Sequence, residues 1–193
     1  MELERIRTGD TEALGRLMAD AWAPLVRYLE TLTPSPEMAQ DAAQEALVRL
    51  WTHRERWTSG SARAVLFRIG RNVAMDQVRR AEVRRRFART RGPAPAQAGP
   101  PTPSDELERA QARGRVDAAI ASLSPRRREV FVLVRLEGLS YREAAEALDV
   151  APQTVANQMS LALRDLRELL ADLAPSDQAQ ANDPLADRRS HDG

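Results

Sequence analysis

From Ser124 to Leu170 the chain reads SPRRREVFVLVRLEGLSYREAAEALDVAPQTVANQMSLALRDLRELL, and this stretch leaves the backbone few choices. Ser124 suits an N-cap, Pro125 suits the first helical position where a missing N–H costs nothing, and Glu129 lies close enough to aid the first turn. A helix is expected through about Leu136, ended by Gly138 in a left-handed conformation. Ser140 and Glu143 have the capping-box spacing, so a second helix is expected over Tyr141 to Leu148. Asp149, Val150 and Ala151 make a tight connection, and Pro152 opens a third helix with apolar positions at Val155, Met159, Ala162, Leu166, Leu169 and Leu173. A short capped helix, a three-residue turn and a longer helix is the helix-turn-helix pattern, whose second element enters the major groove by its N-terminal residues. Small helical bundles share this turn chemistry, so on these residues alone an ordinary three-helix core stays open.

The rest of the chain is helical in composition too, because Ala, Leu, Arg and Glu dominate while there are only three Phe and two Tyr. The 193 residues suit one ordinary domain or two small ones, and the Pro-rich break near residue 92 favours two. With no cysteine, and with His53 and His191 lacking ligand-spaced partners, neither a disulfide frame nor a metal site is expected. No cofactor motif is present, and the charged N-terminus without an apolar run points to a cytoplasmic protein with no membrane span. The net charge of +1 conceals an asymmetry, since residues 63–91 hold ten Arg against Asp76 and Glu82 alone. All 29 basic residues are Arg, which suits phosphate and base-edge contacts and equally suits a GC-rich coding sequence.

In chain order, residues 2–31 carry a helical apolar period broken near Gly9-Asp10 and again at Pro24, which predicts two or three short helices. Ser35-Pro36 then starts a helix that reaches about Arg56. Its apolar stripe is Ala39, Ala43, Ala46, Leu47 and Leu50, while Asp41, Gln44 and Glu45 share the other face. Residues 57–61 form a loop from which Ser61 can cap the basic helix. That helix packs by Leu66, Ile69 and Val73 and then fills with arginine, and Asn72, Asp76, Arg79 and Arg80 fall on one strip of hydrogen-bonding side chains. Residues 92–104 contain five prolines and two glycines and read as a linker, long enough when extended to span up to about 40 Å. A helix from Leu107 to Leu123, with Ala110, Val116, Ala119 and Ile120 on its apolar face, completes a four-helix second domain. The expected organisation is therefore all-α, with domains at 1–91 and 106–173, a linker at 92–105 and a disordered tail at 174–193.

Three segments in this order, DAAQEALVRLW at 41–51, FRIGRNVAMDQVRR at 67–80 and GLSYREAAEALDVAPQTVANQMSLALRDL at 138–166, resemble bacterial sigma factors of the extracytoplasmic-function group. The resemblance covers roughly residues 8–173. It implies a transcription initiation factor, not an enzyme, that binds core RNA polymerase and directs it to promoters. By that resemblance Asp41, Gln44, Glu45, Leu47, Leu50 and Trp51 dock on the clamp helices of the polymerase's largest subunit. Asn72, Asp76, Arg79 and Arg80 contact the minus-ten element, and the loop of Trp57 holds an extruded base. Trp57 suits stacking on that base, and it suits equally a residue sealing the helix end.

The second domain, by the same resemblance, reads the minus-thirty-five element, with Arg126, Arg127, Arg128, Ser140 and Arg142 where phosphate contacts are expected. Many relatives carry Arg or Lys in the recognition helix, whereas this chain offers Gln153, Thr154, Asn157, Gln158 and Ser160. Amide side chains suit adenine edges, which implies less charge-driven upstream binding. Leu161 beside them is either a thymine-methyl contact or part of a packing face. The two-domain build leaves room for an anti-sigma protein that covers both polymerase-binding faces. The alternative function is a stand-alone helix-turn-helix regulator, which would need neither the 36–56 docking surface nor the linker and which commonly dimerises on paired half-sites.

Overall fold

Short polar side chains, Asp10, Ser35, Ser61 and Ser140, start four helices of the structure, a computed structural model that describes residues 2–88 and 106–171. Helix α1 (Glu2–Arg7) leads into α2 (Thr11–Glu30), where the Asp10 carboxylate accepts the Ala13 N–H at 3.0 Å. Ser35 caps α3 (Pro36–Thr52) by accepting from the Met38 N–H at 3.3 Å, with Pro36 in the first turn. The Ser61 hydroxyl accepts from Ala64 at the start of α4 (Ala62–Ala88). These four helices form the first unit. The second unit is α5 (Glu106–Ser122), α6 (Pro125–Phe131), α7 (Tyr141–Leu148) and α8 (Pro152–Leu169). No strand occurs among the described residues, so the architecture is all-α, with the helix-turn-helix in the second unit. The expected linker at 92–105 and the tail at 174–193 lie outside the described residues.

Several local expectations need correction. Pro24 lies inside α2 and does not break it. A proline there removes one intrahelical bond to the carbonyl four residues earlier, but Asp20 is exposed, and the buried stripe Leu17, Ala21, Leu25, Tyr28 and Leu29 continues across the site. Helix α3 stops at Thr52, and a single 3₁₀ turn at Arg54–Arg56 finishes the run. Ser124 makes no side-chain cap on α6. That helix also widens into a π turn over Val132–Leu136 before Gly138 ends it at φ +71°. At the end of the chain's helical run, Leu169 is exposed and not part of the apolar stripe.

The turn of the helix-turn-helix is built as its sequence predicts. Ser140 and Glu143 form a complete capping box on α7, and Asp149 takes a left-handed conformation at its C-terminus. Val155, Met159, Ala162 and Leu166 of α8 are buried.

The two units do not sit apart. Helix α7 lies between α4 and α8, and one apolar core runs through both units, from Tyr28, Leu50 and Phe67 to Leu133, Leu139, Ala145 and Met159. Tyr28 and Phe67 stack at its centre with ring centroids 5.7 Å apart. Small residues on α7, Ala144, Ala145 and Ala147, let α7 approach closely. Gly70 does the same for α4 against α2 and α3, since a Cβ there would stand 3.0 Å from Leu25 Cδ1 and 3.6 Å from Ala46 Cβ. Gly70→Val is therefore expected to overpack the α2–α3–α4 crossing and to destabilise the fold by about 1–3 kcal/mol. A lower urea midpoint with an unchanged m-value is the expected readout.

Candidate nucleic-acid interface

The basic strip on α4 exists as a surface because the apolar stripe beneath it ends. Val73 and Ala74 are buried, whereas Asn72, Asp76, Arg79 and Arg80 are all exposed along one side, followed by exposed Arg84, Arg85 and Arg86. A cleft lined by Ser35, Met38, Asp41, Gln77, Arg80 and Arg84 joins this strip to the N-terminal half of α3. Cations and amides projecting from one rigid helix suit a polyanion whose charges repeat along a line.

On α3, Asp41 and Gln44 are exposed, and Glu45 accepts from Arg49 one turn later at 2.6 Å. Leu47 is half-buried against the core, and Trp51 is half-buried with the Arg54 guanidinium 4.8 Å from its ring. Leu50 is corrected: it is fully buried and supports this face from below. Val48, which was not among the expected residues, is 63% exposed on the same helix. A lone apolar residue on a polar face, four positions after Gln44, is the signal that marks it.

Trp57 donates its indole N–H to the Leu50 carbonyl at 3.3 Å, and the Arg68 guanidinium lies 5.6 Å from its ring. The residue thus closes the end of α3, which is the second of its two sequence readings. Next to it Thr58, Ser59 and Gly60 are exposed.

On the second unit, Gln153, Asn157 and Ser160 are exposed and Thr154 and Gln158 half-exposed, on the first turns of α8. The Gln153 amide donates to Asn157 Oδ1 at 3.0 Å, and Ser160 donates to the Ala156 carbonyl. Arg142 is exposed at the start of α7. The three arginines of α6 are already engaged. Arg126 donates to Glu129 and to the Leu148 carbonyl, Arg127 pairs with Asp165, and Arg128 binds the carbonyls of Ile120 and Ala121 in the last turn of α5 and of Leu123 just after it. Ser140 is engaged in the same way, since its hydroxyl and N–H both serve the capping box.

The sequence reading missed a set of carboxylates on the second unit. Glu129, 6% exposed, accepts from Arg71 at 2.7 Å and from the Tyr28 hydroxyl at 3.4 Å, both on the first unit. Glu137, 5% exposed, accepts from Arg27 at 2.7 Å, while its carbonyl accepts from Arg63. Glu143 accepts from the Ser61 hydroxyl at 2.8 Å and Glu146 from the Ser61 N–H at 3.3 Å. Burial works against the charge of Arg71, but its bonds to Glu129 outweigh that and raise its pKa. Burial first, and then the Glu129 carboxylate, push the Tyr28 hydroxyl well above the usual phenol range. The sequence reading gave Glu129 to the first turn of α6, whereas the structure buries it and bonds it to Arg71 and Tyr28.

Comparison with known proteins follows the same division of the chain. Residues 18–84 match the family model for sigma-70 region 2, and residues 113–166 match that for sigma-70 region 4. The extracytoplasmic-function RNA polymerase sigma factor SigL of Mycobacterium tuberculosis is 35% identical over 166 residues, covering 83% of this chain and 91% of its own. The RNA polymerase sigma factor CarQ of Myxococcus xanthus is 29% identical, covering 89% and 97%. Among solved structures, CnrH in complex with the cytosolic domain of CnrY aligns over 89% of this chain and 96% of its own at TM-score 0.60 and 24% identity. The sigma factor RpoE of Bartonella quintana, in complex with the anti-sigma factor NepR, aligns over 81% and 95% at TM-score 0.60 and 24% identity. At that identity these two report the fold alone.

The capping box generates its own prediction. Desolvation alone would raise the Glu143 carboxyl, but hydrogen bonds from the Ser140 N–H and hydroxyl and from the Ser61 hydroxyl hold it below the ordinary glutamate range. A carboxyl lowered in the folded state stabilises above its unfolded pKa, and that contribution is lost as pH falls through the lowered value. The start of α7 is therefore expected to survive mild acid. Ser140→Ala is expected to cost about 1 kcal/mol and to move the Glu143 titration upward, read by NMR of its side-chain carboxyl.

Proposed function

Since the chain belongs to the extracytoplasmic-function sigma factors of RNA polymerase, transcription initiation factors that direct the polymerase to promoters, we propose that it acts through three surfaces of its own. The exposed face of α3, with Asp41, Gln44, Glu45 and Val48, half-buried Leu47 and Trp51, and Leu50 supporting it from beneath, docks on the clamp helices of the polymerase's largest subunit. The strip Asn72, Asp76, Arg79 and Arg80 contacts the minus-ten element, with the adjacent loop from Trp57 to Ser61 holding an extruded base. The first turns of α8, through Gln153, Thr154, Asn157, Gln158 and Ser160, read the minus-thirty-five element, with Arg142 on the phosphates. Arg126, Arg127 and Ser140 support that surface through the bonds they make within the unit, and reach phosphate only where those bonds exchange.

The single observation that carries this reading is the α4 strip: four hydrogen-bonding side chains stay exposed on one side of a helix that is anchored in the core as far as Val73 and Ala74. Separating base pairs costs about 1.4 kcal/mol per stacked step, and contacts to unpaired bases and to the polymerase must offset that. Base–aromatic stacking contributes roughly 1–3 kcal/mol per base. In this chain the Trp57 indole N–H is bound to Leu50 and one ring face lies by Arg68, so the indole serves the loop chiefly by fixing its shape.

Sigma factors as a class are not enzymes, and we assign this chain no reaction and no cofactor. No helix among the described residues is long and apolar enough to cross a membrane. We place the protein in the cytoplasm, with core polymerase and promoter DNA. An anti-sigma factor is a further partner, on the ground that RpoE of Bartonella quintana, which shares the fold, was solved with one. The boundaries 1–91, 92–105, 106–173 and 174–193 stand as the proposed domain division.

The test is run-off transcription from genomic fragments with purified core RNA polymerase, with and without this protein. New start sites that depend on it are expected. Asn72→Ala or Arg79→Ala is expected to lower initiation about 5- to 150-fold, the equivalent of roughly 1–3 kcal/mol for a lost base contact. Glu45→Ala is expected to weaken core binding while leaving the fold intact. DNA binding without any polymerase binding would instead make the protein a stand-alone regulator.

A further inference from the structure

Arg54 turns its charge to a tryptophan. Its guanidinium lies 4.8 Å from the centre of the Trp51 ring and donates to the Trp51 carbonyl at 3.1 Å, in the last turn of α3 where the helix's own N–H groups run out. Arg49 on α3 pairs with Glu45 and Arg7 on α1 pairs with Glu4, whereas Arg54 pairs with no carboxylate among the described residues. Its Nε is shut away from solvent without a hydrogen-bond partner. An unpaired buried donor is costly, and an arginine that served only as a surface charge would turn that group to water.

The side chain is held there from outside. Helix α1 packs on the 3₁₀ turn that carries Arg54, and the turn after α1 closes over it: a Cβ added at Gly9, which has φ +90°, would stand 4.0 Å from the Arg54 Nε. Arg54 is thus wedged between the N-terminal helix and the Trp51 ring.

The ring so held lies at the end of an exposed face. Asp41, Gln44 and Val48 are exposed along α3, and half-buried Trp51 follows Val48, 63% exposed, by three positions on the same side. Trp57, the next tryptophan, is fixed by its own indole N–H, which donates to the Leu50 carbonyl. For Trp51 the orienting contact comes from Arg54. An aromatic anchor already held in one orientation loses little freedom when a partner covers it, and its affinity gains accordingly.

We propose that Arg54 is a positioning residue for core-polymerase binding: it holds the Trp51 indole in the orientation that α3 presents, and it acts on the polymerase only through that ring. The proposal rests on the docking face assigned above and adds to it a residue behind that face.

The test is a double-mutant cycle on the Kd of the full chain for purified core RNA polymerase. Arg54→Met keeps an unbranched apolar side chain under the Gly9 turn and removes the guanidinium. Alone it is expected to weaken core binding about 3- to 30-fold, the range of a partly desolvated cation–π contact. In a Trp51→Ala background, where the ring is already gone, the same substitution is expected to change Kd by less than about twofold. A variant that had merely lost its fold would lose the same factor in both backgrounds, and so would a guanidinium that touched the polymerase itself. Equal losses in the two backgrounds, or Arg54→Met binding as tightly as the wild type, would overturn the proposal while Trp51→Ala still weakens binding. The docking reading fails in a different way, by Trp51→Ala binding core as tightly as the wild type, and that result would overturn the proposal with it.

Discussion

The structure depends on one helix meeting two demands along its length. Over its first half α4 is buried against α2 and α3 on one side and α7 on another, which requires Val65, Leu66, Phe67 and Ile69 in near succession and a glycine at 70 where the neighbouring helices come closest. Over its second half it has to stay in water, and there the apolar residues give way to arginines. A continuous helix transmits the position of the buried half to the exposed half with little freedom, at about 1.5 Å per residue. The exposed strip proposed to meet DNA is thus positioned by the core of both units, and its side chains need no packing of their own.

The second unit sits on this helix through a shared apolar core with ion pairs at its edge. Small alanines on α7 pack against α4, and around that packing Glu137 is reached by Arg27 of the first unit while Glu129 is reached by Arg71 of the first and by Arg126 of its own. Taking a carboxylate out of water is costly, and its ion pair seldom adds net stability over an apolar substitute. What such a pair does supply is a strong penalty against any arrangement that leaves the carboxylate alone. Because Arg27 is 56% exposed, water and salt reach its side of the pair, so the contact weakens readily as ionic strength rises or as another anion competes.

What the sequence made legible was local. Ser35 with Pro36, the Ser140–Glu143 capping box, Gly138 and the four-and-three spacing of Val155, Met159, Ala162 and Leu166 each encode their structure within a few residues, and each is found in place. Pro24 misled because a proline breaks a helix only where burial does not hold the helix on both sides. Leu50 is buried as its place on the apolar stripe predicts, so it was the resemblance, and not the periodicity, that put it among the docking residues. The engagement of Arg127 was hidden because its acceptor lies 38 residues away, and that of Arg27 because its acceptor lies 110 residues away. Charge pattern along a chain marks which groups want a partner; only the fold says which partner is nearer than DNA.

The most direct measurement is a photo-cross-link from a benzoylphenylalanine placed at Arg79, on a promoter mapped for this protein, with and without core RNA polymerase. Cross-links to the non-template strand of the minus-ten region, formed only when polymerase is present, are expected if the exposed half of α4 contacts the opened promoter. Cross-links to duplex DNA formed equally without polymerase, or none to that strand in an initiating complex, would contradict the assignment of this helix.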